Sequence, residues 1–309
     1  MSTCTTLSRA LAEPLAGTAS TARTWLLLEQ PGPWGPDALV ESHLDPAVGR
    51  ALGAATAGTG VRVALIRRPG RHADRPGNAT ARRAYLAHTL PGNSWIRTTA
   101  AVAPERLLDL DFHRLGAGAH DDLWEPHHGD PLTLVCTNGR RDRCCALLGR
   151  PLAAELAASG GSEVWEITHL GGHRFSPTLL VLPHGYAYGR ITAVGVKNVL
   201  EALHDGRLVG EHCRGRSAWD RPGQAAELAV RDATGERGLD AIAVLTSRAT
   251  GDTHEVTVGH ADGRRWRVTV ATRAGAEPAP ASCGAVAGPQ HRMTVIDVTA
   301  VSQAAPATR

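Results

Sequence analysis

The chain has 309 residues, of which 42% are hydrophobic and 20% charged, and its 33 basic and 30 acidic residues give a formal net charge of +3. This composition excludes a fibrous or disordered protein, and the absence of any run of five like charges argues against a nucleic-acid partner. No stretch approaches the ~18 apolar residues of a membrane span, and the N-terminus does not read as a secretion signal, so we expect a soluble, cytoplasmic protein with no membrane partner.

The first half of the chain predicts a strand, a helix and a strand. Residues 1–20 are rich in Ser, Thr and Ala and are expected to be poorly ordered. "RTWLLLEQPGPWG" then predicts a buried strand stopped by Pro31 and Pro33. Asp45 is a helix cap with Pro46 at the first helical position, and "VRVALIRRPG" predicts the next strand. We assign residues 21–125 to an N-terminal α/β half.

The second half predicts a further strand–helix–strand unit. The strand "PLTLVCTNG" runs into Cys136, "CCALLGRPLAAELAASG" has helical character, and "EVWEITHLGGHRF" gives a strand and its exit loop. "TLLVLPHGYAYGRI" predicts two more strands, and "AVGVKNVLEALHDGRL" predicts an amphipathic helix. This order is thioredoxin-like, so we predict an α/β fold with a thioredoxin-like domain at residues 126–205. The preceding half is interpreted as a degenerate copy.

The last hundred residues have a different pattern. One helix, "PGQAAELAVRDATGE", is followed by four short alternating strands. The Gly/Ala/Pro-rich segment 274–290 predicts an irregular loop before the last strand. Residues 206–309 are therefore expected to form a small α+β appendage with an antiparallel sheet.

Two histidines raise the question of ligand binding. His169 and His173 are four residues apart, a helical spacing, but Gly171 and Gly172 lie between them. Two interior glycines would cost a helix about 2 kcal/mol. We therefore place both imidazoles on the loop that leaves the "VWEIT" strand.

The cysteines strengthen the case for a metal. "CTNGRRDRCC" places Cys136 at the end of a strand and Cys144 and Cys145 at a helix N-terminus, where the helix dipole and the neighbouring arginines favour thiolates. The C-terminal ends of the two strands should share one edge of the sheet, where ligands of open α/β folds bind. Seven or eight residues separate Cys136 from its partner cysteine, which is longer than usual for zinc. Spacing alone leaves zinc and an iron–sulfur cluster equally supported, and no C-x-x-C motif suggests a redox dithiol.

The chain also resembles a known family. "CTNGRRDRCCALLGRPLAAEL", "VWEITHLGGHRFSPTLLVLPHGYAYGRI" and "CRGRSAW" are similar to the sucrase/ferredoxin-like family of thioredoxin-fold ferredoxins. The resemblance implies a [2Fe-2S] cluster bound by Cys136, Cys145, His169 and His173, with Cys144 as a neighbour. The other cysteines, Cys4, Cys213 and Cys283, lack nearby partners in the sequence and are interpreted as spectators.

The implied function is electron transfer or redox sensing rather than catalysis on a substrate of its own. Two thiolates and two neutral imidazoles give a less negative centre than four thiolates, so its potential should lie above the roughly −400 mV of plant-type ferredoxins and depend on pH. The sequence has no flavin or nicotinamide fingerprint, so a separate electron donor or reductase is the expected partner. The alternative is a structural Cys2His2 zinc domain. The hypothesis of a glycoside hydrolase is supported only by the family's name, since the sequence has no paired-carboxylate signature.

Overall fold

The computed structural model describes residues 3–70, 81–160 and 163–301. Its helices are α1 (Cys4–Ala10), α2 (Pro46–Thr56), α3 (Phe112–Gly116), α4 (Arg150–Ala158), α5 (Ala193–His204) and α6 (Arg221–Thr234). Its strands are β1 (Thr24–Glu29), β2 (Val61–Arg67), β3 (Arg82–His88), β4 (Trp95–Val102), β5 (Glu125–Pro126), β6 (Leu132–Cys136), β7 (Val164–Ile167), β8 (Thr178–Leu182), β9 (Tyr186–Gly189), β10 (Cys213–Arg216), β11 (Ile242–Thr250), β12 (Thr253–His260), β13 (Arg265–Ala274) and β14 (His291–Val301).

A ten-stranded mixed sheet forms the centre of the molecule. Its strand order is β10-β9-β8-β6-β7-β2-β1-β3-β4-β5. In each half the first two strands are parallel, β1 with β2 and β6 with β7, and the next strand pairs antiparallel with the first. The predicted α/β class is therefore confirmed, and the two halves have the same local strand order.

The halves meet where β2 pairs antiparallel with β7. In the described chain Ile66 pairs with Ile167 and Arg67 with Glu166, and the Thr168 N–H donates to the Leu65 carbonyl beside them. The Arg67 Nε atom lies 2.8 Å from the Glu166 carboxylate, and both side chains are buried. Removing either charge of this buried ion pair would leave the other charge desolvated and without compensation, which lowers the stability of the protein.

The local signals in the sequence match the elements they predict. The Asp45 carboxylate accepts the Ala47 N–H at the start of α2, with Pro46 in the first turn. Strand β6 is buried along its whole length, as expected for a strand covered on both faces. Its last residue, Cys136, pairs with Ile167 of the parallel strand β7. The chain leaving each strand therefore begins at the same edge of the sheet.

The C-terminal region contains α6 and a four-stranded antiparallel sheet in the order β11-β12-β13-β14. Val230 of α6 packs in one apolar core with Val256 and Val268 of the sheet. Among the described residues, no helix combines the length and the apolar character needed to cross a bilayer.

The N-terminal segment, expected from its composition to be poorly ordered, carries α1. Thr3 caps this helix, and Cys4, Thr5 and Ser8 on it are buried. The Thr5 hydroxyl donates to the backbone carbonyl of His173 at 3.3 Å. Polar composition misled the prediction because α1 buries small polar side chains against the rest of the protein rather than an apolar stripe.

Candidate metal centre

The loop after β6 positions two cysteines by means of polar side chains that bind the backbone. The Asn138 side-chain oxygen accepts the N–H groups of Arg140 and Arg141, and the Asp142 carboxylate accepts that of Cys144 at 2.8 Å. The chain then enters a π-helical turn, Cys145–Gly149, which leads into α4. This path returns Cys145 to the end of β6, where the Cys136 thiol donates to the Thr168 carbonyl at 2.8 Å.

The loop after β7 carries both histidines, as the glycines between them predict. Gly171 and Gly172 have φ values of +70° and +68°, a region that favours glycine. The rings of His169 and His173 stack with centroids 4.5 Å apart and an interplanar angle of 31°. The backbone therefore reverses between the two imidazoles and brings them face to face.

A buried arginine explains why the second glycine is needed. A Cβ atom at Gly172 would lie 2.2 Å from Nη2 of Arg214, whose guanidinium also donates to the Gly171 carbonyl at 3.1 Å. Arg62 holds the other end of the loop by donating to the His169 carbonyl at 2.8 Å. Gly172 therefore makes room for Arg214.

We name the four sequence-predicted ligands, Cys136, Cys145, His169 and His173, the Cys2His2 centre. The Cys145 Sγ atom lies 3.2 Å from Nδ1 of His173. Cys136, Cys145 and His173 are buried, and His169 is partly exposed. Nδ1 of His169 is buried and has no hydrogen-bond partner within the described part of the chain. The structure thus places Cys145 against His173 and the His169 ring beside that of His173, while the Cys136 thiol lies at the end of β6 against the Thr168 carbonyl.

The environment of the centre shifts the pKa values of its cysteines and histidines. Hydrogen bonding from the Cys145 thiol, against the effect of burial, lowers the pKa of Cys136 to about 7, and the same pairing raises the pKa of Cys145. Burial and repulsion from His173 lower the pKa of His169 to about 3, and burial lowers the pKa of His173. Both imidazoles are therefore neutral at neutral pH, the form in which histidine binds a metal.

Asp142 was not identified as a candidate from the sequence. Its carboxylate lies with Cys145 Sγ and His173 Nδ1 in a group whose ligand atoms are all within 4.8 Å of one another. Asp142 is also 2% exposed, which is unusual for a carboxylate without a function in binding or structure. The only signal in the sequence is its place between Arg141 and Arg143, which reads as a solvated loop.

Cys4 and Cys283, which lack nearby partners in the sequence, contact Cys144 in the structure. The Sγ atom of Cys144 lies 3.4 Å from the Sγ atom of Cys4 and 3.1 Å from that of Cys283. The Sγ atoms of Cys4 and Cys283 are 3.5 Å apart. We call these three residues the three-cysteine site. They come from the N-terminal helix, the loop after β6 and the irregular segment before β14, so no local pattern in the sequence could have predicted their contact. The interpretation of Cys213 as a spectator stays a prediction, and the side chain of Cys213 is buried in β10.

Comparison with known proteins places the chain in a family. No curated protein and no solved structure matches it significantly. A sequence model described as sucrase/ferredoxin-like matches residues 15–215, about two thirds of the chain, and this range includes the whole Cys2His2 centre. The protein therefore belongs to the sucrase/ferredoxin-like family.

Proposed function

We propose that the Cys2His2 centre binds a [2Fe-2S] cluster and that the protein is a one-electron carrier. The observation that carries the proposal is the contact between Cys145 and His173, with the His169 ring 4.5 Å from that of His173 and Cys136 at the end of the neighbouring strand β6. Two cysteines and two histidines are an established ligand set for such a cluster in Rieske proteins. The strand order β7-β6-β8-β9, with a helix crossing between β6 and β7, supports a thioredoxin-like domain around it.

The residues present fit this group. Nδ1 of His169 is buried and has no partner among the described residues, which costs free energy unless something else binds it. The lowered pKa values keep both imidazoles neutral and favour a thiolate at Cys136. When bound, the cluster supplies reversible one-electron transfer at a potential raised by its two neutral ligands.

The surrounding chain has its own tasks in this proposal. Arg62 and Arg214 fix the histidine loop through the carbonyls of His169 and Gly171. Burial lowers the pKa of Arg214 to about 10, so the guanidinium stays charged and offsets the negative charge of the thiolates. The positions of both imidazoles are therefore set before anything binds.

A surface cavity beside His169 is the proposed route for electrons. Arg62 and Arg141 line this cavity together with His169 and Thr168. A rim with two guanidinium groups favours an electron donor with an acidic docking surface, because complementary charge speeds association. A separate reductase with such a surface is the proposed partner.

The test is spectroscopic. The full chain, purified without oxygen, should be red-brown and should give the electron paramagnetic resonance signal of a reduced [2Fe-2S] centre after dithionite treatment. His173→Ala should abolish both signals. His184→Ala is the matched control, since His184 is also largely buried but lies in the turn between β8 and β9, and it should keep them. A colourless, silent wild-type protein reconstituted with iron and sulfide would overturn the proposal.

A mononuclear zinc site is the second candidate. The compactness of the Asp142, Cys145 and His173 donors favours it, since their ligand atoms all lie within 4.8 Å of one another. Zinc in structural sites takes four such nitrogen, sulfur or oxygen ligands in a tetrahedron. A colourless protein that holds zinc through His173, with no acid-labile sulfide, would favour this reading.

A further inference from the structure

We propose that the three-cysteine site is a second, separate metal site that binds one Zn²⁺ through the thiolates of Cys4, Cys144 and Cys283, with the Asp142 carboxylate as fourth ligand. The three Sγ atoms form a triangle with sides of 3.1, 3.4 and 3.5 Å. Thiolates bound to one tetrahedral zinc at about 2.3 Å lie about 3.8 Å apart. The sides of the triangle need to lengthen by about 0.3 to 0.7 Å to accept the ion.

The Asp142 carboxylate closes the fourth side of the site. Oδ2 of Asp142 lies 3.9 Å from the Cys4 sulfur and accepts the backbone N–H of Cys283 at 2.7 Å, while Oδ1 accepts that of Cys144 at 2.8 Å. The carboxylate is thus held in a fixed orientation by the two cysteine residues that flank it. Hydrogen bonds that orient a ligand in this way are typical of metal sites.

The sulfurs supplied by α1 and by the loop after β6 are shielded from solvent, and Cys283 is partly buried. Cys4 and Cys144 are 3% and 1% exposed, so water does not compete for these positions.

Sulfur ligands select a soft or borderline cation. Three thiolates and a carboxylate in one tetrahedron suit Zn²⁺, whereas Mg²⁺ and Ca²⁺ require oxygen ligands. The competing chemistry is a disulfide, which requires an S–S distance near 2.05 Å and would leave the third cysteine alone.

The site would join three distant parts of the chain beside the Cys2His2 centre. Cys4 begins α1, which covers the backbone of His173, and Cys283 lies in the irregular segment before β14. Cys144 and Cys145 are adjacent in the sequence yet serve different sites. Zinc at the three-cysteine site would therefore hold α1 over the Cys2His2 centre.

Metal content of the full chain tests this proposal. Protein expressed with added zinc should retain about one zinc per chain after gel filtration. Cys283→Ser and Cys4→Ser should each lose that zinc, whereas Cys213→Ser, which removes a buried cysteine outside both sites, should keep it. Iron and acid-labile sulfide, measured in the same samples, should be equal in all four proteins. This result separates the three-cysteine site from the Cys2His2 centre.

Cobalt provides the second readout. Co²⁺ added to the zinc-free chain should give the sulfur-to-cobalt charge-transfer band of a tetrahedral thiolate site, and Cys283→Ser should lose this band. A wild-type protein without zinc, retention of zinc in both Cys4→Ser and Cys283→Ser, or a non-reducing mass spectrum showing a disulfide among these cysteines would overturn the proposal.

Discussion

Two adjacent cysteines with different contacts are the most specific feature at the scale of single residues. The Cys145 sulfur contacts His173, whereas the Cys144 sulfur contacts Cys4 and Cys283. We predict that Cys145→Ser loses most of its iron, because a serine oxygen is a poor replacement for a soft thiolate. Cys144→Ser should retain iron and lose zinc. Elemental analysis of the two variants checks this, and the reverse pattern would exchange the two assignments.

Gly172 offers a second residue-scale prediction. Alanine at Gly172 must adopt a left-handed conformation and must also displace the buried guanidinium of Arg214. Gly58→Ala is the matched control, since Gly58 has φ +76° but open space around its Cβ position. We expect Gly58→Ala to lower the free energy of unfolding by about 1–2 kcal/mol, and Gly172→Ala by about 1–3 kcal/mol more. Equal losses in urea denaturation would show that Arg214 does not constrain the loop.

At the scale of elements, α6 connects the large sheet to the small one through a buried ionic network. Glu227 is fully buried and accepts hydrogen bonds from the Tyr186 hydroxyl of β9 at 2.6 Å and from Nε of Arg231 at 3.0 Å. Burial and the Glu227 carboxylate raise the pKa of Tyr186, so the phenol remains a donor. The network therefore depends on the carboxylate as its common acceptor.

Removal of that acceptor should be costly. Glu227→Ala leaves Arg231 as a buried charge without its carboxylate, and we expect the free energy of unfolding to fall by about 3–5 kcal/mol. Asp109→Ala breaks the exposed ion pair with Arg106 and should change stability little, because solvent screens such pairs. Thermal unfolding of both variants checks the contrast, and similar melting temperatures would contradict it.

Elements set by local chemistry were predictable from the sequence. Asp45 and Pro46 fix the start of α2, and the apolar run of β6 fixes a buried strand ending at Cys136. The β2–β7 seam was not predictable, since it depends on residue pairs from segments about a hundred positions apart. The three-cysteine site was not predictable for the same reason. Its residues come from three distant segments and meet only in the folded chain.

At the scale of the whole molecule, buried neutral histidines make stability depend on pH. Burial lowers the pKa of His88 to about 4, and the charges of Arg23 and Arg216 contribute. The Thr24 hydroxyl donates to the Leu115 carbonyl and so accepts from Nδ1–H of His88, while Nε2 has no hydrogen-bond partner in the described residues. The folded state therefore holds this imidazole in its neutral form.

The pKa of His88 is lower in the folded protein than in the unfolded chain, and this sets the direction in which pH changes stability. The unfolded chain protonates His88 near pH 6.5 and the folded protein only near pH 4, so the unfolded state binds more protons between these values. Stability should fall as the pH drops from 6.5 towards 4, by up to about 1.4 kcal/mol per pH unit for this residue. His88→Gln should flatten the slope of unfolding free energy against pH by up to that amount. An unchanged slope in urea titrations would contradict the assignment.

The four proposed ligands could be selected from the sequence because they lie in two short motifs at the ends of neighbouring parallel strands. Cys136 and His169 follow directly from the topology, since β6 and β7 end at the same edge. The participation of Asp142 was not predictable, because the sequence places it in a polar loop and only the folded structure buries it. The strand topology therefore indicates where the proposed centre lies, whereas the burial of Asp142 depends on tertiary packing.

We propose that the Cys2His2 centre holds iron and inorganic sulfide. The most direct measurement is the iron, zinc and acid-labile sulfide content of the Cys283→Ser variant purified without oxygen, because this variant removes zinc bound at the three-cysteine site. We predict about two irons and two sulfides per chain and no zinc. Stoichiometric zinc without sulfide in this variant would contradict the account.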